Sequence, residues 1–184
     1  MGPLVKKRPG LRIPGAWDPF ECAVRAVLGQ QVTVAAARTL AARLVARTGK
    51  QIESPVQGLT HLFPTPAELA TANLDGLGIT GSRIRALQSL SRAVADRQLD
   101  FNASADEVIA GLTALPGFGM WTAQYIAMRA LGEPDAFPTG DLVLRRMASD
   151  TDQPLSSRAL DARADAWRPW RGYAVMHLWA AAND

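Results

Sequence analysis

Three groups of residues have the types and spacing to do chemistry. The first is Leu115-Pro116-Gly117-Phe118-Gly119-Met120-Trp121-Thr122-Ala123, between two segments of helical pattern. Glycines one residue apart permit a tight turn, and the residues after them begin a helix whose unpaired N–H groups lie at its positive end. Such a turn can cradle a phosphate with backbone alone, although on the glycines by themselves it is equally an ordinary link between helices. The second group is Pro138-Thr139-Gly140-Asp141, whose aspartate lies 22 residues beyond Gly119 and opens the segment Leu142-Val143-Leu144-Arg145-Arg146. Taken alone, Asp141 is a good helix N-cap with an arginine at i+4. A carboxylate so placed can also serve as a fixed negative charge or as a general base. Third, Trp121, Tyr125 and Met128 fall at i, i+4 and i+7, a spacing that serves either a core stripe or a stacking surface.

The elements that must position these groups read as helices throughout. Asp18, Pro19 and Glu21 supply an N-cap, an N1 proline and an N3 carboxylate for a helix to about Leu28, which Gly29-Gln30-Gln31 interrupts. From Val32, apolar positions recur every four residues through Ala36, Leu40 and Leu44 until Gly49, and residues 50–64 read as loop. Thr65-Pro66-Ala67-Glu68 is a capping box for a short helix. A helix over 82–97 turns Ile84, Leu87, Ser91 and Val94 inward and Arg85, Gln88, Arg92 and Asp96 outward. Ser104 caps a helix ending near Thr113, and a second follows the turn to about Gly132. Asp141 caps one to about Ala148, Ser156 or Ser157 another, and the last covers roughly Pro169 to Ala181. Residues 1–10 carry charge, proline and glycine without periodicity and read as a linker or tail. No alternating strand pattern stands out, so the expected fold is all-α, with two helical lobes around a cleft over residues 11–184.

A chain of 184 residues with 48% hydrophobic content can bury a sizeable core. No apolar run reaches the roughly 18 residues of a membrane span, and no leader-like segment opens the chain, so a cytoplasmic protein is expected. The single Cys22 excludes an intramolecular disulfide, a four-cysteine zinc site and a four-cysteine iron–sulfur cluster. It reads as a buried thiol, and neither His61 nor His177 has a partner at metal-ligand spacing. Net charge is only +3, but arginine accounts for 17 of the 20 basic residues and suits bidentate phosphate recognition.

The whole pattern is more specific than its parts. Leu-Pro-Gly-x-Gly-x-x-Thr-Ala between helices, followed about twenty residues on by a Gly/Pro-rich loop and an aspartate, resembles the helix-hairpin-helix (HhH-GPD) superfamily of DNA glycosylases. Further stretches resemble the bacterial 3-methyladenine glycosylases of type II in particular. They are Arg12-x-Pro14-Gly15, Phe20-Glu21-x-Ala23-Val24-Arg25-Ala26, Leu28-Gly29-Gln30-Gln31-Val32, and Trp167-x-Pro169-Trp170-Arg171-x-Tyr173-Ala174 with His177-Leu178-Trp179. The resemblance implies that Asp141 is the catalytic residue and that Trp121, Tyr125 and Trp179 line the base pocket. It also implies that Leu115, Gly117, Phe118, Gly119 and Thr122 form the DNA-gripping hairpin, and that Gln31 enters the minor groove. Leu77-Gly78-Ile79-Thr80-Gly81-Ser82-Arg83 reads as a weaker backbone contact or as plain loop. A base alkylated at a ring nitrogen is cationic, and indole faces attract it without needing many hydrogen bonds.

Two departures from relatives narrow this expectation. Bifunctional members carry a lysine where Trp121 stands, and no lysine follows Lys50, so no lyase step is expected. The full-length bacterial enzyme has a preceding mixed α/β domain, whereas here the resemblance starts almost at residue 1. The chain is accordingly expected to be either a naturally short form or a piece of a longer or fused protein. The expected activity is hydrolysis of the N-glycosidic bond of alkylated bases in double-stranded DNA, by a nucleoid-associated bacterial monomer. No cofactor is required, with a structural monovalent cation at the hairpin as an option. The alternatives are a non-catalytic helix-hairpin-helix module tethering a larger protein to DNA, and a glycosylase for deaminated or mismatched bases.

Overall fold

In the computed structural model, which describes residues 1–184, ten α-helices and no strand longer than one bridge build the chain. They are α1 (Gly2–Lys7), α2 (Pro19–Leu28), α3 (Val34–Thr48), α4 (Pro66–Thr71), α5 (Gly81–Ala95), α6 (Ala105–Thr113), α7 (Met120–Ile126), α8 (Leu142–Met147), α9 (Ser157–Ala164) and α10 (Arg171–Ala181). The chain divides into two compact units, one of residues Asp18–Gly119 and one of Met1–Trp17 with Met120–Asp184.

In the Asp18–Gly119 unit, capping chemistry places the helices where their sequences begin. Asp18 accepts from the Glu21 amide at 2.6 Å to start α2, which buries six of its ten residues. Thr65 and Ser104 form capping boxes with Glu68 and Glu107 for α4 and α6. Helix α3 starts two residues later than periodicity suggests, because the Thr33 hydroxyl accepts from the Ala36 amide and leaves Val32 outside. Helix α5 packs against α4 and α2, burying Ala86, Leu87, Leu90, Ser91 and Ala93. Its buried face is therefore centred on Leu87 and Leu90, while Ile84 and Val94 lie at its half-buried margins. The Ser91 hydroxyl avoids an unpaired buried oxygen by donating to the Leu87 carbonyl at 2.7 Å.

In the other unit, α10 packs against α8 and α1, and Leu144, Leu160, Ala174, Val175 and Leu178 are buried. Residues 2–7, aperiodic in sequence, nonetheless form α1; Lys7 and Arg8 pair with Asp184, and Arg8 also donates to the Ala180 carbonyl. Helix α10 begins at Arg171 rather than Pro169, since a turn of 3-10 helix over Asp165–Trp167 and an extended Arg168 precede it. The segment after the hairpin is not one helix to Gly132. It widens from α7 into a π-helix over Ala127–Leu131 and ends on Gly132 at φ +71°.

His177, on α10, is only 6% exposed, and its enclosed Nδ1 makes no hydrogen bond. Burial, together with the Arg8 guanidinium and the N-terminal ammonium, pushes its pKa below the ordinary imidazole value. A depressed folded-state pKa means the unfolded chain binds the proton more readily, so stability is full above about pH 6.5 and declines below it. Thermal melting is expected to fall between pH 7.5 and 5.5, and His177→Gln should flatten that slope; an unchanged slope would discharge His177 from this role.

Candidate active site

Asp141 stands at the end of a loop whose shape is fixed by its own backbone. Its amide donates to the Pro138 carbonyl at 2.9 Å, and the Thr139 amide donates to that of Phe137 at 2.9 Å. The carboxylate Oδ1 accepts from the Leu144 amide at 2.9 Å, which makes Asp141 the N-cap of α8 as its position suggests. Capping does not exhaust the group. Trp121 Nε1 donates to Oδ2 and Trp179 Nε1 to Oδ1, each at 3.3 Å, the long end of the hydrogen-bond range. Helices α7 and α10 thus each aim an indole N–H at one half-buried carboxylate.

The aromatic residues assemble around it. Trp121 and Tyr125 stack with centroids 5.5 Å apart and planes 10° from parallel, and Trp179 lies 6.4 Å from Tyr125. All three rings are half-buried, leaving part of their surface accessible. Met128 does not extend this face. Met128 lies near the start of the π-helix and is fully buried. The i, i+4 part of the stripe is therefore the stacking surface and its i+7 member is core.

Two supporting residues carry no motif. Gln124 Oε1 accepts from the Phe137 amide at 2.9 Å, tying α7 to the loop that ends in Asp141. Arg129 sits with its guanidinium 5.7 Å from the Tyr125 ring centre and donates through Nε to the Pro14 carbonyl at 2.7 Å. Tyr125 and Arg129 are at i and i+4, which is the signal that could have found the second; nothing in the local pattern singles out Gln124. In the same unit, a cavity of about 640 Å³ lined by Leu11, Arg12, Trp167, Trp170, Tyr173 and His177 among others shares no residue with this cluster. It contains no carboxylate.

The hairpin turn belongs to the Asp18–Gly119 unit. Gly117 takes φ +85°, and a Cβ there would come within 2.8 Å of the Ala86 Cβ on α5. Gly119 has no atom within 4 Å of where its Cβ would be. Gly117, Gly119 and Met120 are exposed, whereas Phe118 is 5% and Thr122 4% exposed. The last two side chains are thus structural supports, and any ligand contact they make must go through backbone. Gly117→Ala should lower stability by about 1–3 kcal/mol, from the left-handed backbone and the crowding at Ala86, while Gly119→Ala should change it little. Chemical denaturation of both variants checks this, and equal losses would contradict it. Gln31 is exposed with φ +54°, next to Gln30, whose Nε2 donates to the Gly117 carbonyl at 3.0 Å. In the 77–83 stretch, Gly78 takes φ +81°, and Thr80 to Ser82 are exposed at the start of α5.

Comparison with known proteins places this geometry. Residues 24–171 match the profile of the HhH-GPD superfamily base excision DNA repair protein. A Mycobacterium tuberculosis protein named "Probable bifunctional transcriptional activator/DNA repair enzyme AlkA" is 46% identical over 178 residues, covering 96% of this chain and 36% of that protein. "DNA-3-methyladenine glycosylase 2" of Escherichia coli is 35% identical over 184 residues, covering 97% of this chain and 63% of its own length. The chain thus spans between about a third and under two thirds of these relatives. Among solved structures, the Schizosaccharomyces pombe 3-methyladenine DNA glycosylase Mag1, in complex with abasic DNA, superposes with a TM-score of 0.81 at 24% identity, over 100% of this chain and 91% of that one. With its helical fold, its Gly-x-Gly turn and its capped aspartate between two indoles, the chain belongs to the HhH-GPD superfamily of base excision DNA repair proteins.

Proposed function

We propose that the chain is a monofunctional DNA glycosylase that hydrolyses the N-glycosidic bond of alkylated bases, of the 3-methyladenine type, in double-stranded DNA. The observation that carries this reading is the Asp141 carboxylate held by two indole N–H groups beside the Trp121–Tyr125 stack. A damaged nucleotide leaves the duplex, at a cost of a few kcal/mol that falls for weakly paired lesions, and its base stacks on Trp121, Tyr125 and Trp179. A cationic base gains from the negative ring faces and is already a good leaving group. The C1′–N bond then breaks, its electron pair going to the base and neutralising it. Asp141 faces the positive charge left on the sugar, and water adds its oxygen to C1′ while losing a proton to the carboxylate or to solvent. No amine takes part, since no lysine follows Lys50.

The hairpin would hold the DNA backbone through amides around Gly117 and Gly119, with Gln31 filling the gap left by the extruded nucleotide. A monovalent cation at the hairpin would use backbone oxygens of the turn. That turn fits an ion only in part, because the Leu115 and Gly117 carbonyls already accept from Phe118 and Gln30, and the mechanism needs none. The test is incubation with alkylated, uracil-containing and oxidised-guanine duplexes, separating free base and sizing the strands. Free alkylated base with strands intact until alkali treatment is expected. Release confined to uracil or oxidised guanine, or strand cutting without alkali, would overturn the reading.

A further inference from the structure

The loop carrying Gln31 and the hairpin turn are joined by side chains that no motif assigns. Gln30 Nε2 donates to the Gly117 carbonyl at 3.0 Å, and the Arg83 guanidinium donates to the Gln30 carbonyl. Arg83 and Ala86 are three residues apart on the first turns of α5, and Ala86 is the residue against which Gly117 is packed. One short stretch of α5 thus contacts both the turn and the loop. Gln30 is held twice, once by its side chain and once by its backbone. The residue that follows is Gln31, exposed and in the left-handed region, and two residues later Thr33 caps α3.

We propose that Gln30, locked by Arg83, is a positioning residue that sets Gln31 at a fixed offset from the hairpin, so that gap filling and backbone grip act on the same stretch of duplex. The proposal rests on the reading of Gln31 as the gap-filling residue. A wedge must enter at a defined step from the phosphates being held, and a loop free to swing loses part of its binding gain to ordering. Releasing the loop should therefore weaken recognition of a gapped duplex while sparing the grip on an intact one.

The test uses Gln30→Met, similar in length but lacking the donor, and measures affinity at one salt concentration for a duplex with a stable abasic analogue and for the same duplex intact. For variants whose melting matches the parent, the ratio of the two affinities should fall about fivefold, with intact-duplex binding within roughly twofold of parental. In a Gln31→Ala background the same change should produce no further fall, a signature that a merely structural effect would not give. Arg83→Lys, which keeps the charge but loses the guanidinium fork, should lower the ratio in the same direction and decides the matter if Gln30→Met does not fold. A parental ratio, equal loss on both duplexes, or an additive loss in the double variant overturns the proposal. The wedge reading then still stands if Gln31→Ala alone lowers the ratio; if Gln31→Ala leaves it unchanged, both fall.

Discussion

Trp121→Ala and Trp179→Ala are each expected to slow excision of cationic alkylated bases by about tenfold or more, while affinity for DNA already lacking the base changes far less. The indoles have two roles in this geometry, and the substitutions can separate them. Under the proposed function each ring would offer a face to the extruded base, and each Nε1–H donates to Asp141 at 3.3 Å. Because those hydrogen bonds are long, their loss should matter less than the loss of a ring face on which the base would stack. Phenylalanine keeps a face and removes the N–H. Trp121→Phe should therefore retain most of the activity that Trp121→Ala loses, and a Phe variant as impaired as the Ala one would transfer the role from stacking to carboxylate orientation. A fully buried Trp→Ala commonly costs about 3–5 kcal/mol; both indoles are half-buried, so melting must be compared before rates are. Equal slowing on charged and neutral lesions in folded variants would remove the cation–π argument.

The helices were legible in the sequence wherever a cap announced them. Asp18, Thr65, Ser104, Asp141 and Ser156 each accept from an amide three residues on, at the starts that their side chains suggest. Where periodicity alone set a boundary, as at Val32 and Pro169, the helix began two residues later because a cap or an extended residue intervened. The π-helix at Ala127 has no signature in composition. Helix α1 was invisible for a different reason, since its anchors are long-range pairs from Lys7 and Arg8 to Asp184. In the candidate site, Asp141 and the three aromatics were singled out through the family resemblance, and the structure brings them together. What spacing does not encode is the support around them. Gln124, Gln30 and Arg83 act on backbone groups 13, 87 and 53 residues away, and such pairings exist only once the chain has folded.

Asp141→Asn is the substitution expected to do most to function and least to structure. Asparagine caps a helix about as well as aspartate, so the bond to the Leu144 amide can persist and stability should be near parental. What disappears is the negative charge. A carboxylate facing an oxocarbenium ion stabilises charge that exists mainly in the transition state, and loss of such a group costs on the order of a hundredfold or more in rate. DNA affinity should hold or tighten slightly, because a negative charge near the phosphates is gone. The decisive measurement is single-turnover release of an alkylated base by the parent chain and by Asp141→Asn, with affinity for abasic-site DNA taken alongside. Release by the parent, a drop of about a hundredfold or more in the variant, and undiminished binding are the predicted result. Near-parental release by a folded, DNA-binding Asp141→Asn would contradict the assignment of Asp141 and, with it, the proposed mechanism.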